Sequence, residues 1–110
     1  MTSLQPDGSE YTVLVMPLNA TFDVLAGETV MKAARRHNYY WPTVCGGRGE
    51  CAACAFVIEQ GIDNAGPVTA AERLQLAHVA PRSTERLACQ LTISGSIRAR
   101  KNGVRKRITE

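Results

Sequence analysis

Aromatic residues are scarce in this chain of 110 residues, and long apolar runs are missing. Phe, Trp and Tyr make up 5% of the sequence, so the core must be built mainly from Val, Leu, Ile and Ala. The longest apolar stretches, such as 51–58, are far shorter than the roughly 20 residues needed to cross a bilayer, so no membrane insertion is expected. A chain of this length supports one hydrophobic core, and a single folded domain is predicted.

The N-terminal segment lacks the patterns of a targeting sequence. Residues 1–10 are polar and contain two acids but no Lys or Arg, which fits neither a secretory signal nor a transit peptide. A cytoplasmic location is therefore predicted. In such a reducing compartment cysteines bind metals more often than they form disulfides.

Positive charge is concentrated at the C-terminal end. Residues 1–97 contain 7 basic and 9 acidic side chains, whereas 98–110 contain six basic side chains and one acid. The basic residues are Arg98, Arg100, Lys101, Arg105, Lys106 and Arg107. No aromatic residue lies between them for base stacking, which argues against nucleic-acid binding. They are interpreted either as the solvated face of a last strand or as a docking patch for an acidic partner.

Apolar spacing predicts a mixture of strands and helices. Strands are predicted at 11–16, 21–24, 55–59, 87–93 and 97–100. An amphipathic helix is predicted over 28–37, ending at Asn38 in a left-handed cap. Thr69 and Glu72 stand in a capping-box relation, which predicts a second, shorter helix. The order of elements indicates an α+β fold in which one helix packs across a small mixed sheet.

The chain contains four cysteines in the pattern C-x5-C-x2-C-x34-C: Cys45, Cys51, Cys54 and Cys89. The first three share a loop with Gly46, Gly47 and Gly49, which let the backbone wrap closely and turn its N–H groups inward. Arg48 adds a positive charge to the same loop and is expected to raise the potential of a bound cluster. These features suit a 2Fe-2S cluster on four thiolates, whose charge is about -2 when oxidised and about -3 when reduced.

Two other cysteine chemistries compete with the cluster. A disulfide is disfavoured by the absence of a secretory signal. A structural zinc site is the stronger rival, although zinc ribbons usually have two C-x-x-C pairs and this chain has one.

The stretch from Cys45 to Cys54, together with Arg86-Leu87-Ala88-Cys89-Gln90, resembles the 2Fe-2S ferredoxins of β-grasp fold. The five-residue gap between the first two cysteines looks more like the adrenodoxin and putidaredoxin branch than the plant type, in which the gap is four. The resemblance covers about 11–97. We divide the chain accordingly into a polar N-terminal segment (1–10), a ferredoxin domain (11–100) and a basic C-terminal tail (101–110). The resemblance implies that Cys45, Cys51, Cys54 and Cys89 ligate one 2Fe-2S cluster, lined by Gly46, Gly47, Arg48 and Gly49.

The same resemblance implies an electron carrier rather than an enzyme. It would pass single electrons from a flavin-dependent ferredoxin reductase to a terminal acceptor, with a cytochrome P450 or Rieske-type oxygenase as the expected class. A monomer with no nucleic-acid partner is expected. The chain has neither a dinucleotide fingerprint nor a nucleophile–base pair. The alternative is a four-cysteine zinc-binding interaction module without redox activity.

Several residues near these motifs have structural interpretations. His37 and His78 are expected to be structural, because four cysteines already complete a ligand set. The aromatic run 39–41 is expected to pack the cysteine loop against the sheet. Relatives in this branch present an acidic helix to their partners, whereas segment 68–79 here has Glu72 beside Arg73 and few other charges.

Overall fold

The computed structural model describes residues 10–43, 53–76 and 84–106. In these ranges the strands are β1 (Glu10–Met16), β2 (Ala20–Leu25), β3 (Tyr39–Tyr40), β4 (Ala55–Gln60), β5 (Glu85–Leu87), β6 (Ile97–Arg100) and β7 (Arg105–Lys106). The helices are α1 (Val30–Arg36) and α2 (Ala70–Gln75), and a 3-10 turn lies at Ile62–Asn64. Neither α-helix of the described ranges has the length and apolar character that a membrane crossing requires.

Five strands form one mixed sheet in the order β2-β1-β6-β4-β5. β1 pairs antiparallel with β2 and parallel with β6. β4 pairs antiparallel with both β6 and β5. β3 and β7 form a separate antiparallel pair. A mixed sheet combined with helices confirms the predicted α+β class.

The core lies between the sheet and α1. Alternate residues of the three central strands are buried: Val13, Val15, Phe56, Ile58, Ile97 and Ala99. Helix α1 places Val30, Met31, Ala33 and Ala34 in the same core. The helix is shorter than predicted because Thr29 caps it, its Oγ1 accepting from the Lys32 N–H at 3.2 Å. Asn38 has φ 69°, as the predicted left-handed cap requires.

The prediction of a continuous strand over 87–93 is wrong. β5 ends at Leu87, and the N–H groups of Gln90 and Leu91 both donate to its carbonyl at 3.0 Å. These bonds close a turn. Leu91 and Ile93 are nevertheless buried. Apolar and polar residues therefore alternate here as in a strand, although the backbone over 87–93 does not pair continuously with a neighbouring strand.

Helix α2 and its capping box are confirmed. The Thr69 hydroxyl accepts from the Glu72 N–H at 3.1 Å, and Glu72 Oε1 accepts from the Thr69 N–H at 3.1 Å. The buried residue of this helix is Glu72 at 0% exposure, whereas Leu74 is 78% exposed. The capping box therefore predicted the helix but not which of its residues is buried.

Candidate functional site

The fold brings two of the four cysteines together. Cys54 directly precedes β4 and is fully buried, and Cys89 follows β5 and is 8% exposed. The two strands are antiparallel neighbours, with Ala55 opposite Leu87. The start of one strand therefore meets the end of the other, and both cysteines are free thiols. The other predicted site residues lie outside the described residues: Cys45, Gly46, Gly47, Arg48, Gly49 and Cys51.

The environment of Cys54 fits a thiolate-ligated metal centre. Burial raises the pKa of its thiol to about 12. The nearby backbone N–H groups of Cys89 and Ala88 oppose the rise, whereas the Cys89 side chain adds to it. Two buried sulfurs this close do not both carry negative charge without a cation between them. A metal supplies that charge and displaces the protons, and N–H bonds to sulfur are a recognised means of tuning iron-sulfur clusters.

Helix α1 fixes the turn that carries Cys89. The first N–H groups of a helix have no partner within the helix. Here the Val30 N–H donates to the Leu91 carbonyl at 2.9 Å, and the Met31 N–H donates to the Ala88 carbonyl at 3.0 Å. The turn is therefore anchored on both sides of Cys89.

A buried ion pair holds β5 against α2. Arg86 Nε and Nη2 donate to the two carboxylate oxygens of Glu72, both at 2.7 Å. Glu72 Oε2 also accepts from the Leu87 N–H at 3.0 Å. The guanidinium completes its bonds with the carbonyls of Gly66 and Pro67, at 2.9 and 3.0 Å. From the sequence, Glu72 is interpreted as a surface acid. The available signal for a buried ion pair was an arginine placed directly before the buried run 87–89.

Trp41 holds the backbone beside Cys54. The indole is 1% exposed, and its Nε1 donates to the Cys54 carbonyl at 3.0 Å. Its ring packs edge-on against Phe56 with 5.5 Å between centroids. Trp41 thus contacts the last residue of the cysteine loop and the sheet, as the predicted packing requires, whereas loop residues 44–52 lie outside the described residues.

Residues 101–106, here called the C-terminal clasp, contact residues that precede and follow segment 44–52 in the sequence. On one side Lys101 Nζ donates to the Ala53 carbonyl at 2.7 Å. On the other, β7 pairs with β3, and Gly103 lies so close to Pro42 that an added Cβ would be 3.0 Å from its Cγ. Val104 is buried at 5% exposure. From the sequence, this segment is assigned to the basic tail, and the apolar Val104 within it was an available but unused signal that it packs against the domain.

The basic side chains near the C-terminal end differ in their surroundings. Arg98 and Arg100 both pair with Glu59, at 3.1 and 2.6 Å, on the solvated face of β6 as expected. In the clasp, Arg105 and Lys106 are exposed and lie over the rings of Tyr40 and Tyr39, each 4.7 Å from the centroid. Burial lowers the pKa of Lys101, whereas Cys54 in its thiolate form and the Glu85 carboxylate oppose that shift.

The two histidines were expected to be structural. The His37 ring lies against Phe22, with 6.1 Å between centroids, at the C-terminal end of α1. The opposite end of that helix anchors the Cys89 turn. His78 lies outside the described residues.

Comparison with known proteins supplies the family. The 2Fe-2S iron-sulfur cluster binding domain family matches residues 13–94. The 2Fe-2S ferredoxin-5 of Aquifex aeolicus is 34% identical over 85 residues, which cover 76% of this chain and 88% of that protein. The mitochondrial adrenodoxin homolog of Saccharomyces cerevisiae is 30% identical over 79 residues, or 70% of this chain and 46% of that protein. The crystal structure of a Rhodopseudomonas palustris HaA2 ferredoxin is 26% identical with a TM-score of 0.61, covering 92% of this chain and all of that one (100%).

These similarities confirm the β-grasp fold and the adrenodoxin-like character expected from the cysteine spacing. They favour a single 2Fe-2S cluster over the zinc alternative. The chain belongs to the 2Fe-2S ferredoxin family, and it is an electron carrier rather than an enzyme.

Proposed function

We propose that Cys45, Cys51, Cys54 and Cys89 ligate the cluster of this carrier. The observation that supports the proposal most is the meeting of Cys54 and Cys89, two buried thiols from distant parts of the chain, with the backbone N–H groups of Ala88 and Cys89 near Cys54. Spacing places Cys45 and Cys51 in the loop that ends at Cys54. Gly46, Gly47 and Gly49 would supply further N–H groups there, and Arg48 a positive charge.

The cluster, when bound, accepts and releases one electron without making or breaking a bond to substrate. The residues of this chain hold it and limit the access of water. Trp41 and Phe56 cover the Cys54 side with packed aromatic surface. The Cys89 turn is fixed by α1, so little reorganisation is expected when the charge changes.

The electron donor in this proposal is a flavin-dependent ferredoxin reductase in the cytoplasm, and this chain is the monomer that docks with it. The terminal acceptor is a cytochrome P450 or a Rieske-type oxygenase. Support for these partners comes from the adrenodoxin-like character of the chain, which carries no dinucleotide fingerprint of its own.

The partner surface proposed here is basic rather than acidic. Glu72 is buried, so it is not available on α2 for docking. Arg98 and Arg100 both pair with Glu59, whose carboxylate partly offsets their positive charge. Arg105 and Lys106 in β7 remain exposed and are oriented by the tyrosine rings of β3. An acidic surface on the reductase or on the acceptor would complement them.

Reduction of the cluster-loaded chain by NADPH and a flavin-dependent ferredoxin reductase tests this function, with a P450 as the acceptor. We expect the reductase to reduce the chain and the chain to support P450 turnover. A loaded chain that accepts no electron from the reductase would contradict the proposed donor. Reduction without onward transfer to either class of oxygenase would contradict the proposed acceptor.

The docking surface has a matched pair of charge reversals. Lys106→Glu should slow reduction by the reductase roughly tenfold at low salt and weaken its salt dependence. Lys32→Glu makes the same charge change on the exposed side of α1 and should have little effect. Equal effects of the two variants would rule out a specific role for the clasp.

A further inference from the structure

Lys101 differs from Arg98, Arg100, Arg105 and Lys106, the other basic residues described near the C-terminal end, because its ammonium group points into the domain. Its Nζ donates to the Ala53 carbonyl at 2.7 Å, and the residue is half-buried. Its own backbone N–H donates to the Met16 carbonyl at 2.9 Å. Both ends of the residue are therefore held, and the charge does not move freely in solvent.

This fixed charge lies one peptide away from Cys54. Ala53, whose carbonyl receives the ammonium, is the residue directly before that cysteine. A charge that is partly removed from water acts more strongly on its neighbours than an exposed charge at the same distance. Ionic strength also screens it less.

Glu85 is the acidic group that acts on Lys101 together with Cys54. It offsets part of the positive charge. Removal of Lys101 would therefore take one positive charge from beside Cys54 and leave the Glu85 carboxylate without this counter-charge, a net change of one charge toward negative.

We propose that Lys101 is a positioned positive charge that raises the reduction potential of the cluster, acting across the Ala53 carbonyl beside Cys54. The step it favours is the gain of one electron by the cluster from the reduced flavoprotein, which makes the site one charge more negative. The inference rests on the ligand role proposed above for Cys54.

The test is redox potentiometry on the cluster-loaded full chain, with small mediators and visible absorption as the readout. Lys101→Met keeps the apolar stem and removes the charge. We expect a lower midpoint, equivalent to a roughly three- to tenfold smaller equilibrium constant for reduction. Tenfold corresponds to about 59 mV for a one-electron couple. The shift should persist at high salt, since the charge is half-buried.

Two further variants separate charge from structure. Lys101→Arg retains the charge and should return the midpoint most of the way to that of the parent. Arg98→Gln removes a charge of the same sign whose side chain is 40% exposed and paired with Glu59, and its midpoint should stay close to that of the parent. An equal drop in Arg98→Gln would assign the effect to net charge and overturn the inference.

The remaining outcomes are also decisive. An unchanged midpoint in Lys101→Met, with the cluster present, would overturn this inference and leave the electron-carrier function intact. A second outcome is that Lys101→Met loses the cluster, whereas Lys101→Arg binds it normally and has the midpoint of the parent. That outcome would support a requirement for positive charge at this position. Loss of the cluster from both variants would assign Lys101 to holding the loop and overturn the tuning role. A parent chain that binds no iron would instead refute the proposed function itself.

Discussion

The guanidinium of Arg86 and the carboxylate of Glu72 form a two-pronged ion pair with both contacts at 2.7 Å, and their side chains are 2% and 0% exposed. Each oxygen of Glu72 also accepts a backbone N–H, one from Thr69 and one from Leu87. The pair therefore joins the start of α2 to the end of β5. Because Cys89 follows two residues after Leu87, this buried contact stabilises the segment that carries a proposed ligand.

Replacement of Glu72 by Gln should destabilise the protein strongly. Arg86 would remain buried without a counter-charge, and breaking one partner of a buried pair costs about 3–5 kcal/mol. We expect a fall of more than about 10 °C in the thermal midpoint, measured by circular dichroism, with faster loss of visible absorption. Glu59→Gln is the matched control, because its pairs with Arg98 and Arg100 are exposed and should contribute little. Similar midpoints for the two variants would contradict a structural role for the buried pair.

The same carboxylate should make stability depend on pH. Burial raises the pKa of Glu72, but hydrogen bonds from Arg86, Leu87 and Thr69 outweigh it, and the net pKa lies below the ordinary value of 4.5. The unfolded chain therefore binds a proton more readily, so this contribution is present above about pH 4.5 and is lost as pH falls through the lower folded value.

Urea unfolding of the parent and of Glu72→Gln at a series of pH values tests this dependence. The stability difference between the two proteins should be largest near neutral pH and should narrow as pH falls below about 4.5. Glu28 and Glu59 also have lowered pKa values, but they are present in both proteins and cancel in the comparison. A difference that is constant with pH would count against a charged Glu72 in the folded state.

Trp41→Phe should lower the stability of the protein by removing a hydrogen bond to the backbone at Cys54. The substitution removes the Nε1 donor and leaves the Cys54 carbonyl with the longer bond from the Ala88 N–H at 3.4 Å, at a cost of about 0.5–1.5 kcal/mol. Urea unfolding should report this loss. Tyr40→Phe removes a hydroxyl from a ring that is 37% exposed and should change stability by less than about 0.5 kcal/mol. The proposed role of the indole N–H would be wrong if Trp41→Phe were as stable as Tyr40→Phe.

Gly61 should tolerate substitution less well than Gly27, although both have positive φ, 88° and 83°. A Cβ on Gly61 would lie 2.6 Å from the Ser96 carbonyl oxygen, whereas nothing lies within 4 Å of one on Gly27. Both Ala variants incur the left-handed strain of roughly 1–2 kcal/mol, and only Gly61→Ala adds a backbone clash. Thermal unfolding should therefore rank Gly61→Ala below Gly27→Ala. The reverse order would indicate that Gly61, after β4, and Ser96, before β6, do not approach each other this closely in solution.

Local patterns predicted most of the fold because they report local physics. The helical spacing around Val30 and the Thr69–Glu72 box depend on neighbours in sequence, and both were confirmed. The prediction of a strand over 87–93 failed because the alternate burial of Leu91 and Ile93 has the same pattern as a strand. What sets that backbone is a contact with α1, more than fifty residues earlier in the chain.

The sequence predicted the chemistry of the site better than it predicted the contacts that hold the site residues in place. The number and spacing of the cysteines indicated a cluster, and the meeting of Cys54 with Cys89 agrees with that. The contacts of Glu72 with Arg86 and of Lys101 with Ala53 span 14 and 48 residues. Charged residues are usually exposed, so nothing in the local sequence indicated that Lys101 turns inward, and the arginine before the buried run 87–89 was the one signal for the Glu72 pair.

Reductive titration of the anaerobically purified protein, combined with iron, sulfide and zinc analysis, tests the central claim most directly. One 2Fe-2S cluster predicts about two irons and two sulfides in each chain, and visible absorption that bleaches on uptake of about one electron. Contradiction would come from a colourless protein that holds about one zinc ion on its cysteines and takes up no electrons.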